Sequence, residues 1–418
     1  MQRRDFLKLA AAPVATLGTA ANAQANGHVV VIGGGFGGAT AAKYLREFSP
    51  KTKITLIEPN GTFISCPLSN RVLYGGMSLR ELTRSYDRLV ARYGIEWVRG
   101  LVDSVDTDKR IVSVGQTRIG YDRLIVSPGV EFVYDKLDGM QAADAQNKIL
   151  HAWKAGEQTR QLRAQLVDLK AGGVVAMHIP KVPYRCPPGP YERASLIAHY
   201  LSLSKPGSKL MVFDANPEIQ AKKDLFTKAW AERYKSIIEY VPNADIKSVD
   251  AARGVIDMDV HGIVKADVWN VIPPQRAGSI ARKIGLMKAA ENWCGVDFLS
   301  YESLMVKGVH VIGDAIAGSP GMAKSAHMAN QEAKVCAAAV AAVLTGEAPS
   351  ANPIIANTCY SFVSQAAVIH VATVFKYNAA TKRMVAVPGS GGLSSEASLA
   401  EGIFAMSWAN NILNDTLG

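Results

Sequence analysis

Residues His28–Ile32 read HVVVI, and the six that follow are Gly33-Gly34-Gly35-Phe36-Gly37-Gly38, running into ATAAKYLREF. A β-branched run, a glycine cluster and an amphipathic stretch in that order describe a strand, a tight turn and a helix. Gly33, Gly35 and Gly38 fit the G-x-G-x-x-G spacing, where they permit the turn, a pyrophosphate's approach and close helix packing. The helix N-terminus then offers unpaired N–H groups to an anion. A second strand, Lys53–Ile57, ends at Glu58, twenty residues after Gly38. That carboxylate is placed to accept from a ribose 2′-hydroxyl. Strand, glycines, helix, strand and acid in register predict a dinucleotide-binding unit, and with it an α/β chain built on a parallel sheet.

At 418 residues the chain is long enough for two or three domains, and its 48% hydrophobic share excludes wholesale disorder. The net charge of +10 suits an acidic partner or surface. Basic and aromatic clusters are not interleaved, so nucleic acid is not an expected partner. Met1–Ala25 carries Arg3-Arg4, a weakly apolar stretch and Ala21-Asn22-Ala23. This resembles a twin-arginine export signal, residues 1–23, cleaved after Ala23. Its removal leaves a charge of +8, and the mature chain is expected in the periplasm with no membrane span.

Tyr121–Gly129 (YDRLIVSPG) and Gly308–Ala315 (GVHVIGDA) each read as a strand ending in a small-residue turn, and an Ala-rich helix follows from about Lys324 to Leu344. This combination resembles the flavoproteins that carry two dinucleotide-type domains. On that resemblance Asp314 contacts the ribityl chain of FAD. The helix start near Lys324 faces the flavin pyrimidine, where it favours negative charge on the reduced ring. A second βαβ pattern follows: the strand Gly173–Ile179, the helix Tyr191–Leu203 and the strand Lys209–Asp214. Its first turn is Pro180-Lys181-Val182-Pro183-Tyr184-Arg185-Cys186-Pro187-Pro188-Gly189-Pro190, and prolines lack the N–H groups a phosphate cradle needs. The nucleotide fold is read as retained there and the pyridine-nucleotide site as absent. The expected architecture is two Rossmann-like domains plus a C-terminal α+β interface domain. The FAD domain spans 24–145 and 265–349, the second domain 146–264 and the last 350–418.

Five cysteines are present, with no Cys-x-x-Cys, Cys-x4-Cys or Cys-x-x-Cys-His, so neither a common redox motif nor a c-type haem attachment occurs. Cys336 in the Ala-rich helix and Cys294 after Trp293 read as packing residues. Cys66 follows the ribose acid; Cys186 sits in the proline loop and Cys359 lies 173 residues further on. The segments GGGFGGATAAKYL, LIEPN, SCPLSN, HAWKAGEQT, RCPPGPYERAS, IPPQRAG, HVIGDA, NTCYS and SWANNI together resemble the flavoprotein subunit of flavocytochrome c sulfide dehydrogenase, in the sulfide:quinone oxidoreductase superfamily.

The resemblance implies that Cys66 is bonded to the 8α-methyl of FAD, although Pro67 stands where the family often has an aromatic. It implies that Cys186 and Cys359 form a redox disulfide, that Glu192 moves protons and that Trp408 lies near the flavin. It further implies a heterodimer with a small c-type cytochrome, this chain carrying no haem of its own, and sulfide as substrate. A disulfide is a natural electrophile for hydrosulfide, and Lys181 and Arg185 flank Cys186 where they can attract the anion. The rival expectations are a sulfide:quinone oxidoreductase, an NAD(P)H-dependent disulfide reductase and a non-catalytic flavoprotein. No metal site is expected.

Overall fold

The computed structural model describes residues 27–418, so the export-signal expectation lies outside the described residues. The first domain opens with β1 (His28–Ile32), α1 (Phe36–Phe48), β2 (Lys53–Ile57), β3 (Glu96–Val98) and β4 (Arg123–Val126). The second contains β5 (Val174–Ile179), α2 (Gly189–Ser204), β6 (Lys209–Asp214), α3 (Lys223–Arg233), β7 (Ile238–Pro242) and β8 (Val268–Val271). The chain then returns to the first domain through β9 (Val309–Val311) and α4 (Ala326–Leu344). It finishes with β10 (Ile354–Phe362), β11 (Val368–Asn378), β12 (Arg383–Ala386) and α5 (Leu399–Leu417).

Two parallel sheets result, ordered β9-β4-β1-β2-β3 and β7-β6-β5-β8. The central strands of both are buried on each face. This is why the segments VVVI (29–32) and VVAM (174–177) are continuous apolar runs rather than alternating ones. A three-stranded antiparallel meander precedes β4 in the first domain (104–120) and β8 in the second (246–265). The two domains are thus built to one plan. They are joined by Val130–Phe132 pairing antiparallel with Gln275–Ala277, the outgoing and returning chain side by side. The C-terminal sheet is antiparallel, with Cys359 opposite Val371 and Ser361 opposite Ile369, and α5 packs beside it.

One boundary moves. The expected break at 264/265 falls a strand early, because β8 pairs with β5 in the second sheet (Val175 with Val268 through His178 with Val271). VWNV is a short buried strand, and its sequence carries no information about which parallel sheet receives it. Among the described residues no helix is long and apolar enough to cross a membrane.

Candidate functional site

The dinucleotide turn has the geometry its glycines require. Gly33 has φ +96°, and a Cβ there would meet the Ser127 carbonyl oxygen at 2.3 Å. A Cβ on Gly38 would stand 1.8 Å from the Gly33 carbonyl oxygen, so α1 lies against β1 only with glycine at that position. Gly35, the N-cap of α1, has no side-chain cap, and its missing Cβ points into open space. The first N–H groups of a 13-residue helix are therefore free to receive an anion. Glu58 closes the turn: it accepts from Gly34 N at 2.8 Å, Asn60 N at 2.9 Å and Asn60 Nδ2 at 2.6 Å. Tyr86 Oη donates to the Gly34 carbonyl at 3.0 Å.

Across the sheet, Asp314 follows β9, and its Oδ1 is buried with no hydrogen-bond partner. Burial pushes this carboxyl above the usual carboxylate range, opposed by Arg185 and Lys324. An orphaned acceptor of this kind calls for a hydroxyl donor. An open helix N-terminus, a ribose-distance acid and an orphan acid at the Gly-Asp turn fit the pyrophosphate, ribose and ribityl parts of FAD.

The helix that follows is capped by Ser325 rather than beginning at Lys324: Ser325 Oγ accepts from Met328 N at 3.1 Å. The Lys324 ammonium donates to the Ile316 carbonyl and lies 3.7 Å from the centroid of the Trp293 ring, and burial lowers its pKa to about 8. It is the Lys324 carbonyl that serves the site, accepting from Cys186 N at 2.8 Å.

Both distant cysteines are anchored to this one helix start. Cys359 Sγ lies 3.5 Å from Asn357 Nδ2, whose Oδ1 accepts from Ser325 Oγ at 2.7 Å. Thr358 N donates to His327 Nδ1 at 2.9 Å on the first turn of the helix. Cys186 is a non-glycine residue at φ +59°, the sort of backbone that clusters at functional sites. Its sulfur lies against the N-terminus of the 16-residue α2, 2.9 Å from where a Cβ on Gly189 would stand. A helix N-terminus favours a thiolate, while burial pushes both thiols up. The structure holds all five cysteines as free thiols. Cys294 and Cys336 are fully buried packing residues, and Cys66 is half-buried on the loop after Phe63–Ile64.

The charged groups around the thiols are mostly ones the sequence did not expose. Glu192 is buried on the first turn of α2. It accepts from Asn70 Nδ2 at 2.8 Å and Phe362 N at 2.9 Å, and burial raises its pKa. The neighbouring Arg193 donates to Asn70 Oδ1, Asn270 Oδ1 and the His151 and Ala152 carbonyls, with its guanidinium over the Trp153 ring. Burial lowers it to about 9. Arg185 is held by the Trp153 carbonyl and lies within Coulombic range of Cys66, Asp314 and Cys186. Lys181, by contrast, is exposed at the surface and does not join it.

Lys222 is buried and donates to the Cys359 carbonyl. Glu332 on α4 is buried, accepting from Gly313 N at 2.7 Å. Trp408 is half-buried, its ring centroid 5.9 Å from His327 and 6.0 Å from Tyr360. One signal could have flagged Arg193: Glu-Arg opens a helix whose following residues, ASLIAHYLSLS, carry no further acidic or basic side chain apart from His199.

The second domain's nucleotide position is occupied from within. Asp214 ends β6, where a ribose-binding acid would stand, and it is fully buried. Its Oδ1 accepts from Asn216 N and Nδ2, and its Oδ2 from Tyr191 Oη at 2.8 Å and Tyr240 Oη at 2.9 Å. Four donors saturate a carboxylate, leaving nothing for a ribose.

A parallel five-stranded sheet with an open glycine turn, a twin domain and two converging cysteines defines an FAD-dependent oxidoreductase of the two-dinucleotide-domain class. Comparison with known proteins sharpens this. The profile of the pyridine nucleotide-disulphide oxidoreductases matches residues 27–178. That of the sulfide dehydrogenase [flavocytochrome c] flavoprotein chain, central part, matches 159–273, and that of the flavocytochrome c sulphide dehydrogenase flavin-binding part matches 351–417. A sulfide dehydrogenase [flavocytochrome c] flavoprotein chain from Chlorobaculum thiosulfatiphilum is 59% identical over 44 residues, 10% of this chain and 92% of that sequence. The sulfide-quinone reductase of Aquifex aeolicus is 28% identical over 250 residues, 56% of this chain and 55% of that one. The solved sulfide:quinone oxidoreductase of Aquifex aeolicus superposes with a TM-score of 0.74 at 20% identity, covering 94% of this chain and 91% of that one. The chain belongs to the family of flavocytochrome c sulfide dehydrogenase flavoprotein chains.

Proposed function

We propose that this chain oxidises sulfide at the Cys186–Cys359 pair, passing two electrons to FAD and then, one at a time, to a c-type cytochrome subunit in the periplasm. The observation that carries the reading is the double anchoring at the start of α4. Cys186 N bonds to the Lys324 carbonyl, and Asn357, which contacts the Cys359 sulfur, is held by Ser325. Cysteines 173 residues apart are thereby held to consecutive residues beside the orphaned Asp314.

When bound, FAD would supply a two-electron acceptor. The turn 33–38 and Glu58 would hold its adenosine diphosphate half, Asp314 and the N-terminus of α4 its flavin half, and Cys66 would be the residue for a thioether to the ring. Hydrosulfide attacks one sulfur of the Cys186–Cys359 disulfide. The new S–S bond makes a cysteine persulfide that keeps the substrate's proton, and the cleaved bond leaves the other cysteine as thiolate. Negative charge thus moves from substrate to protein without a net change. Arg185, Arg193 and Lys222 make the surroundings cationic, which draws in the anion and stabilises the thiolate. Glu192, a buried carboxyl among these groups, holds or releases the proton when the persulfide is discharged by a second thiol or sulfide. NAD(P)H does not fit as donor, because Asp214 is saturated and the prolines of the Cys186 loop remove phosphate-binding N–H groups.

The test is anaerobic mixing of the oxidised protein with sulfide or NADH while flavin absorbance is followed. Sulfide bleaches the wild type, NADH does not, and Cys359→Ser is not bleached by sulfide. Bleaching by NADH alone would overturn the function, and sulfide bleaching that survives Cys359→Ser would overturn the disulfide route. Acid precipitation of the same sample leaves flavin in the pellet if Cys66 carries it, and wholly in the supernatant if it does not.

A further inference from the structure

Lys222 is the N-cap of α3, and its backbone lies in the left-handed region at φ +56°. Such a backbone is uncommon for a lysine and carries its side chain inward across the domain boundary. The ammonium's three donors are all used: on the Cys359 carbonyl at 2.8 Å, Ser361 Oγ at 2.8 Å and the Ile369 carbonyl at 3.2 Å. All three acceptors are neutral, and they belong to paired strands, since Ser361 stands opposite Ile369 in the β10–β11 ladder. The residue is 5% exposed and is absent from the ion pairs of the described residues. A buried cation without a contacting anion is costly, so its retention calls for a function.

The groups that face it are few. Cys359 and Cys186 lie within its Coulombic range, with Glu192 from α2 and Glu401 from α5. Around the thiols themselves stand Arg185, Asn357 and Ser325 besides Glu192. Burial pushes both thiols up, and Lys222 acts against that for each of them.

We infer that Lys222 is a positioning residue for the redox pair: it locks the Cys359 strand to the second domain and supplies a fixed ammonium whose positive charge keeps the released sulfur as a thiolate. The inference rests on the disulfide reading above. When hydrosulfide opens the Cys186–Cys359 bond, one S–S bond replaces another and a single negative charge appears on cysteine sulfur. That charge must persist for the electron pair to leave as a pair. A neighbour that is already hydrogen-bonded in place does not reorganise when the charge arrives.

The experiment uses the flavin-loaded protein with its pair reduced by a phosphine, alkylated with iodoacetamide from pH 5 to 10. Modification of Cys186 and Cys359 is followed by mass spectrometry. In Lys222→Met the midpoint of the more reactive cysteine rises by about one pH unit or more, about tenfold slower alkylation at a given pH below it. Lys222→Arg keeps the charge and stays near the wild-type profile. A flavin-retaining Lys222→Met or Lys222→Gln with the wild-type profile overturns the inference. If both neutral variants lose flavin while Lys222→Arg keeps it, the need for charge at this position is upheld; if all three lose it, the site needs lysine's shape and the inference fails. Because alkylation needs no sulfide, the result is independent of whether Cys359→Ser abolishes bleaching, so the two readings fail separately.

Discussion

Glu332 offers the sharpest quantitative test of how the flavin side of the site is built. It lies on the second turn of α4, 3% exposed, with its carboxylate on Gly313 N at 2.7 Å. Burial raises its pKa from 4.5 to about 8, reinforced by Asp314 and opposed by the Gly313 N–H and Lys324. The folded state therefore holds a proton there that the unfolded chain releases above its ordinary carboxylate value. Between about pH 4.5 and 8 the native state binds more protons, so stability is full at the acid end and falls as pH rises through that window. At about 1.4 kcal/mol per pH unit the loss has a ceiling of ~5 kcal/mol, and water entry and relaxation bring it to ~2–4 kcal/mol. Glu332→Gln keeps an oxygen for Gly313 N and removes the titration. The variant should match the wild type near pH 5 and exceed it progressively towards pH 8.5. Denaturant unfolding followed by circular dichroism, with flavin release recorded in parallel, reads this directly. Curves that stay parallel from pH 5 to 8.5 would mean the carboxyl is ionised in the folded protein, paired with Lys324, and the reasoning would be wrong.

Two further outcomes separate fold from function within single positions. Gly38→Ala drives a methyl into the Gly33 carbonyl, which glycine alone avoids, so a loss of ~3 kcal/mol or more and poor accumulation are expected. Gly35→Ala meets no protein atom within 4 Å and should leave stability within about 1 kcal/mol while its methyl fills the phosphate space. The flavin-to-protein ratio and a thermal melt distinguish the two, and a Gly35→Ala protein retaining full flavin would refute the placement of the dinucleotide. At Glu192 even the isosteric change is not silent. Both carboxylate oxygens face donors, Asn70 Nδ2 and Phe362 N, so Glu192→Gln must turn an amide N–H towards one of them. It should cost ~1–3 kcal/mol and slow sulfide-dependent bleaching, and a variant with native melt and native bleaching would refute the assignment.

What the sequence made legible is what is local. The turn 33–38, the acid at Glu58, the Gly-Asp at 313–314 and the proline loop around Cys186 each declare themselves within a dozen residues, because their constraint is backbone geometry. The ligands that act across domains are silent. Lys222 sits in QAKKDLF, where a lysine pair reads as solvated surface, and its burial follows only from the β10–β11 ladder standing over it. Asn70 and Asn270 bracket Arg193 from two domains, and nothing near either asparagine in sequence announces a buried arginine. The same blindness placed the 264/265 boundary one strand early, since parallel partners are chosen by the returning chain and not by the strand itself. Lys324 reads in the sequence as the helix start that faces the flavin, whereas its carbonyl is what holds Cys186.

In the second domain, Cys186 occupies the turn and helix start where a dinucleotide domain would meet phosphate. In a dinucleotide domain the turn after the first strand delivers phosphate to a helix N-terminus, using glycine N–H groups and the helix dipole. Here the equivalent turn, between β5 and α2, is stiffened by prolines and carries Cys186. It presses that sulfur against Gly189 at the start of a 16-residue helix. The dipole is unchanged and favours any negative charge at that end, sulfur as well as phosphate. The acid that would have held a ribose has meanwhile been closed by Tyr191, from the same first turn of α2, and by Tyr240 and Asn216. Gly189 is where both outcomes meet: a side chain there would strike Cys186 Sγ at 2.9 Å and Trp153 at 2.8 Å. Under the proposed function, the same anion-stabilising helix start would serve a sulfur fixed to the chain in place of a nucleotide phosphate.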